Sequence, residues 1–319
     1  MQIRTRCLIK GAATNIFPWL HRLELRRDVP GYDSTRYCYS VWLRHLVTLH
    51  RSGLPTRPEV VAELGPGKTL GVGFCALLSG ARKYYALDVV KDYRAQESER
   101  VFRRLVGLFK NREVIPNEAE FPDLQPKLSS YEFPQSVLPD DRLTDTLGER
   151  RLKMIAHAIG SPGIHQQDGT EIDYCAPWYD AGVIQNETVD LLCSQFVLEH
   201  VDDLEKTYRA MQGWLKPGGV MSHFIDFKSH GMTKDWNGHW ACSDRAWDLM
   251  RGKRPYMLNR EPHSVHLDLI ERCGFKIICD ATVKDLSGVR RESLTKRYES
   301  RLDADDLFTR GALIQAVKT

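Results

Sequence analysis

Apolar residues recur at helical spacing in the first stretch of the chain that reads clearly: Tyr37, Val41, Leu43, Leu46, Val47 and Leu49 form a stripe before the breakers Gly53, Pro55 and Pro58. Residues 1–58 therefore read as a helical N-terminal extension. A short β-rich run, Val60-Val61-Ala62-Glu63-Leu64, follows and ends in Gly65-Pro66-Gly67. Leu70 to Leu78 then has helical spacing, and Lys83 to Asp88 is a second strand, so the order is strand, turn, helix, strand. A charged helix is expected from Arg94 to Phe109. The pattern weakens over about residues 110–141, where five prolines (Pro116, Pro122, Pro126, Pro134, Pro139) mark an insertion too long for an ordinary connection. Its apolar residues Phe121, Leu124, Tyr131 and Phe133 argue against disorder.

The core pattern resumes with a helix expected over Leu143 to Ile159 and a strand over Glu171 to Cys175. Val189 to Ser194 is an apolar strand. Val197, Val201, Leu204, Tyr208, Met211 and Leu215 predict one amphipathic helix behind it, stopped by Lys216-Pro217-Gly218-Gly219. Val220 to Phe227, Phe275 to Cys279 and Ala312 to Val317 complete the strands, with a helix over Ser264 to Cys273. Alternation of this kind predicts a doubly wound, mainly parallel α/β sheet.

Composition changes this picture little. With 45 Lys+Arg against 42 Asp+Glu the formal charge is +3, too small to imply a nucleic-acid partner. The eight cysteines are scattered and several sit in apolar runs, which suits a reduced cytoplasmic protein. His239-x-x-Cys242 lacks a second half, so no metal is expected. No stretch reaches the roughly 18 apolar residues of a membrane span. Met1 to Arg27 mixes basic residues with Ile16-Phe17-Pro18-Trp19-Leu20; it is no signal peptide, and it either docks on the domain or touches a membrane surface peripherally.

Three ligands compete for the glycine turn. A P-loop is excluded because position 62 is Ala where Gly67-Lys68-Thr69 would require Gly. A dinucleotide turn would require a third glycine where Leu70 stands. Glu63 discriminates further, since a carboxylate at the strand end repels pyrophosphate and suits a cationic ligand that carries ammonium and sulfonium groups. Asp88, about twenty residues on, is suited to the ribose hydroxyls of adenosine in either cofactor.

Glu63-x-Gly65-x-Gly67, Asp88, Asp190-Leu191-Leu192-Cys193-Ser194-Gln195, Leu198-Glu199-His200-Val201 and Leu215-Lys216-Pro217-Gly218-Gly219, in this order over about residues 58–230, resemble the class I S-adenosylmethionine methyltransferases. The resemblance implies a seven-stranded Rossmann-like methyltransferase domain over 59–319, with S-adenosyl-L-methionine as cofactor. It implies that Glu63, Gly65, Pro66 and Gly67 pass under the methionine part and that Asp88 holds the ribose. Ala176, Pro177 and Trp178 would flank the adenine, and Gln195 would meet the site at the end of the fourth strand. The long insertion departs from the family pattern and puts the third-strand alignment in doubt. Ser40-Val41-Trp42-Leu43-Arg44, Ile225-Asp226-Phe227-x-x-His230-Gly231 and Leu258-Asn259-Arg260 are further similar to bacterial methyltransferases found with polysaccharide and glycan assembly enzymes, which implies a glycan or small polar acceptor.

Methyl transfer to a hydroxyl benefits from a positioned base. His230, with Asp226 as orienter or co-base and His200 nearby, is the candidate, against the plainer reading of a solvated loop histidine. The segment 228–263 is expected on the acceptor side, where Trp236, His239, Trp240, Asn259 and Arg260 would bind acceptor; packing within a lid explains the same residues. An NAD-dependent oxidoreductase and a non-catalytic binding module on the same fold are the competing functions.

Overall fold

A computed structural model of the chain describes residues 3–17, 34–163, 169–178, 180–254 and 256–319. The expected arm residues Pro18, Trp19 and Leu20 lie outside the described residues. The elements are α1 (Thr5–Ile16), α2 (Thr35–Arg51), β1 (Val60–Leu64), α3 (Gly71–Leu78), β2 (Lys83–Leu87), α4 (Ala95–Lys110), α5 (Asp140–Thr146), α6 (Glu149–Gly160), β3 (Glu171–Cys175), β4 (Val189–Gln195), α7 (Leu204–Trp214), β5 (Leu215–Asp226), α8 (Asp244–Arg251), α9 (His263–Arg272), β6 (Phe275–Lys284), α10 (Lys296–Glu299) and β7 (Thr309–Lys318).

The seven strands form one sheet in the order β3-β2-β1-β4-β5-β7-β6. β1 pairs in parallel with β2 on one side and β4 on the other, and β2 in parallel with β3. The strand order reverses beside β1, and in such sheets ligands bind beyond the carboxyl ends at that reversal. The sheet as a whole is mixed, with one antiparallel pair, so the mainly parallel expectation holds only in outline.

The chain divides into two compact units. The first comprises Val29–Gln195, Ala210–His223 and Gln315–Thr319. Within it β1 is buried along its whole length, and Ser34 caps α2 by accepting a hydrogen bond from the Tyr37 N–H at 3.2 Å. α3 lies close over β2 because position 73 is Gly: a Cβ there would stand 2.0 Å from the Tyr84 ring. The insertion is packed, with Ile115, Leu124, Leu128 and Phe133 buried. Arg44 on α2 fastens it. Its guanidinium is fully buried, donates to the carbonyls of Pro116 (2.9 Å) and Pro126 (2.5 Å), and lies 5.1 Å from the Tyr131 ring centroid. Tyr39 and Ser40 donate to the carbonyls of Glu113 and Pro116 alongside.

The second unit comprises Met1–Asp28, Phe196–Arg209 and Phe224–Ile314. Here α1 packs on α8, burying Cys7 with Met232, Cys242, Trp247, Met250 and Leu258. Gly11 marks their closest approach. β5, β7 and α7 each contribute residues to both units.

Candidate active site

The residues expected to hold the cofactor all lie in the first unit, and backbone hydrogen bonds join the ends of three adjacent strands there. Gly65, with φ +64°, donates its N–H to the Leu87 carbonyl at the end of β2 (2.9 Å). Asp88 donates its N–H to Cys175 at the end of β3 (3.0 Å), and its carbonyl accepts from the Trp178 N–H (3.0 Å). The glycine turn, the acid and the Ala176-Pro177-Trp178 segment are thus held in one row. Gly65 is exposed and Gly67 has φ +70°, leaving backbone that a ligand can approach. Pro66 between them is buried.

Glu63 is buried at 4% exposure, and its carboxylate accepts a hydrogen bond from the Tyr84 hydroxyl at 2.6 Å. Burial, then the Glu63 charge, pushes the Tyr84 phenol well above its ordinary pKa, so it remains a donor. Asp88 Oδ1 accepts from the backbone N–H groups of Val89 (2.6 Å) and Val90 (3.2 Å), which fixes the carboxylate. Trp178 rests edge-on against Trp214 with centroids 5.5 Å apart. Gln195 donates to the Gln125 carbonyl in the insertion (3.3 Å), so the insertion reaches the end of β4. Tyr84 and Gln125 escaped the sequence reading, having no motif of their own.

The residues expected on the acceptor side all lie in the second unit. Asp226 ends β5 and is buried. Its carboxylate accepts from the Lys228 N–H (2.8 Å), and Oδ2 lies 3.3 Å from both Lys228 Nζ and His230 Nε2. Burial raises the Asp226 pKa, but the His230 hydrogen bond and the Lys228 charge outweigh it and hold the group below its ordinary value. The His200 and His230 rings meet edge to face at 5.1 Å. His200 Nδ1 lies 2.9 Å from the Tyr256 carbonyl; burial, then the neighbouring His230, lowers its pKa to about 4. Beside them is Glu199, buried at 3% exposure. Among the described residues neither of its carboxylate oxygens has a hydrogen-bond partner. Burial first, then Asp226, pushes its pKa well up. The sequence reading missed Glu199, although a charge between Leu198 and His200 in an apolar run was a signal.

The remaining acceptor-side residues split. Trp236 is half-buried. His239 is buried with its ring tilted against that of Trp240, centroids 4.6 Å apart, and burial, then Arg260, lowers its pKa to about 3. Trp240 is fully buried and donates to the Arg260 carbonyl (2.9 Å). Arg260 is buried between the rings of Trp247 (4.8 Å) and Tyr298 (4.6 Å). Asn259 donates to the carbonyls of Leu198 (2.7 Å) and Val201 (3.0 Å), holding the turn that carries Glu199 and His200. The structure therefore puts Trp240, Asn259 and Arg260 in the frame around the cluster. Phe196, His230, Tyr256 and Arg260 all have φ between +46° and +67°, an unfavourable conformation for such residues.

Residues 163–222 match the family model described as "Methyltransferase domain". No curated protein matches the chain by sequence. Solved structures similar to it include an S-adenosylmethionine-dependent methyltransferase from Mesorhizobium loti (14% identity, 90% of this chain and 99% of that one, TM-score 0.40). Another is an S-adenosylmethionine-dependent methyltransferase from Methanosarcina mazei (13%, 85% and 96%, 0.42). A third is phosphoethanolamine N-methyltransferase 2 of Haemonchus contortus, solved with S-adenosyl-L-methionine, of which the chain covers 58% (14% identity, 91% of this chain, 0.44). The match to a methyltransferase domain is thus confined to residues 163–222, which run from just before β3 through β4 and into β5.

Proposed function

We propose that the protein is an S-adenosyl-L-methionine-dependent methyltransferase that acts on an oxygen, a sugar hydroxyl or a related small polar group. The observation that carries the cofactor half is the row of strand ends: Glu63 behind the glycine turn, Asp88 beside it, and Trp178 tied to Asp88. Their chemistry fits the ligand. Glu63 places negative charge near the methionine end, where a phosphate would be repelled. Asp88 would take the ribose hydroxyls, Ala176, Pro177 and Trp178 would border the adenine, and Gln195 would close the site at the end of β4. When bound, the sulfonium supplies the methyl group.

On the acceptor side the Asp226–His230 pair supports an alcohol acceptor, which keeps its proton at neutral pH until a base takes it. As the new O–C bond forms and the S–C bond breaks, the hydroxyl proton leaves to this pair, through His230 with Asp226 as orienter or as co-base. Trp236 and His239 border the same segment. The exposed Ile9, Ile16 and Phe17 of the N-terminal region would allow peripheral membrane contact, and no helix among the described residues is long and apolar enough to cross a membrane.

Release of S-adenosylhomocysteine against a panel of sugars and phenols tests the reading. The His230→Ala variant should lose at least about tenfold in turnover while cofactor affinity stays nearly constant. Unchanged turnover in that variant removes His230 from the chemistry. A protein that binds cofactor yet turns over none of the panel favours a binding module.

A further inference from the structure

We propose that Glu199, His200 and His230 form a binding site for a divalent first-row transition-metal ion, with open positions for the oxygen atoms of the acceptor. One ligand atom from each of the three residues lies within 4.8 Å of the others. Atoms bound about 2.1 Å from one ion at tetrahedral angles stand about 3.4 Å apart, so closing the site needs a shift of up to about 1.4 Å, which the exposed His230 can make.

The independent sign of a cationic occupant is Glu199 itself. A carboxylate with 3% exposure and no hydrogen-bond partner on either oxygen among the described residues is costly unless a cation meets it. A ligating histidine usually has its other nitrogen held by a carbonyl or carboxylate, which sets the ring and its tautomer. His200 Nδ1 faces the Tyr256 carbonyl at 2.9 Å, leaving Nε2 to bind. His230 Nε2 faces Asp226 Oδ2 at 3.3 Å, leaving Nδ1. Asn259 holds the carbonyls on both sides of the Glu199–His200 turn and fixes those two ligands on one short segment.

Two imidazoles and one carboxylate select zinc, manganese, iron or cobalt over magnesium and calcium, which prefer all-oxygen sets. Three protein ligands leave positions for substrate. An acceptor hydroxyl held on the ion would become more acidic, and its proton would pass to Asp226, leaving the alkoxide on the ion. This deepens the oxygen-acceptor reading and rests on it: with the ion bound, His230 is a ligand and Asp226 the base.

Cobalt(II) is the probe. The full-length protein, without a histidine tag and freed of metal by chelator dialysis, is titrated with Co²⁺ while its visible absorption is followed. Stoichiometric, saturable binding with d–d absorption is expected, displaced by Zn²⁺, and weakened roughly tenfold or more in Glu199→Gln and in His200→Asn. Metal-free Glu199→Gln should melt close to the wild type, because burial favours the neutral acid there and the amide replaces it at equal size, and added Co²⁺ should raise the melting temperature of the wild type alone. No saturable absorption, or wild-type affinity in both variants, overturns the site. Calorimetry of S-adenosylmethionine on the same samples separates the two proposals: cobalt binding without cofactor binding removes the methyltransferase reading and keeps the metal, and the reverse removes only the metal.

Discussion

Glu63, Gly65, Gly67 and Asp88 could be found in the sequence because each does its work through the local backbone: a turn, a strand end, a charge near both. Their partners could not. Tyr84 reaches Glu63 only because β1 and β2 pair in the register that sets Glu63 beside Ala86, and Gly73 is needed because the Tyr84 ring lies beneath α3. Gly73 carries no motif of its own in the sequence; in the structure it serves helix–strand packing. Glu199 is the same kind of case, since its isolation is a property of burial. Burial also sets the acid stability of the protein. His45, hydrogen-bonded to Ser222 (2.7 Å), has its pKa lowered by burial from 6.5 to about 4, and His266, beside the Tyr208 hydroxyl (2.8 Å), to about 3. Folded pKa values below the unfolded value mean that the unfolded chain binds more protons between them, so stability is complete above about pH 6.5 and is lost as pH falls through that window. Each histidine contributes on the order of 3 kcal/mol of this loss. The urea midpoint should fall steadily between pH 6.5 and 4, and His45→Asn, which can keep a bond to Ser222, should flatten the fall. A midpoint independent of pH over that range would refute the assignment.

At the scale of elements, all seven strands lie where the apolar runs put them, because a buried strand is a local pattern. The misplacements have physical causes. The single helix expected over Leu143 to Ile159 is two, α5 and α6, parted at Leu147-Gly148. The helix expected from Val197 begins only at Leu204, after a 3₁₀ turn over Leu198–His200. Asn259 explains this: its side chain takes the carbonyls of Leu198 and Val201, two acceptors that a continuous α-helix would have used, and it comes from sixty residues away. The stop expected at Lys216 to Gly219 is already strand, since β5 starts at Leu215. In the N-terminal region, a Cβ at Gly11 of α1 would stand 1.9 Å from the Leu249 carbonyl of α8. Gly11→Ala should therefore loosen α1, at a cost of about 1–3 kcal/mol. Limited proteolysis checks it: cleavage within residues 5–16 should accelerate while the rest of the chain stays resistant, and equal rates would show that α1 tolerates the methyl group.

For the whole molecule, the order of elements was legible because it follows from the alternation of apolar runs. The role of the insertion was not. Its prolines announced a departure from the sheet pattern, but only the structure shows that Tyr39, Ser40 and Arg44 bind it to α2 and that Gln125 meets Gln195 at the end of β4. This gives Ser40 and Arg44, noted first as part of a resemblance, a physical task. The mixed sheet was equally out of reach, since strand direction at the chain's end depends on the connection and not on the apolar run. The claim on which everything else stands is that the row from Glu63 to Trp178 receives a cationic adenosyl ligand. Isothermal calorimetry with S-adenosylmethionine and NAD on the same protein tests it most directly. S-adenosylmethionine should bind stoichiometrically and weaken roughly tenfold or more in Asp88→Ala as a hydrogen-bonding partner is lost, and NAD should give no measurable heat. Tight NAD binding with no response to S-adenosylmethionine would contradict it.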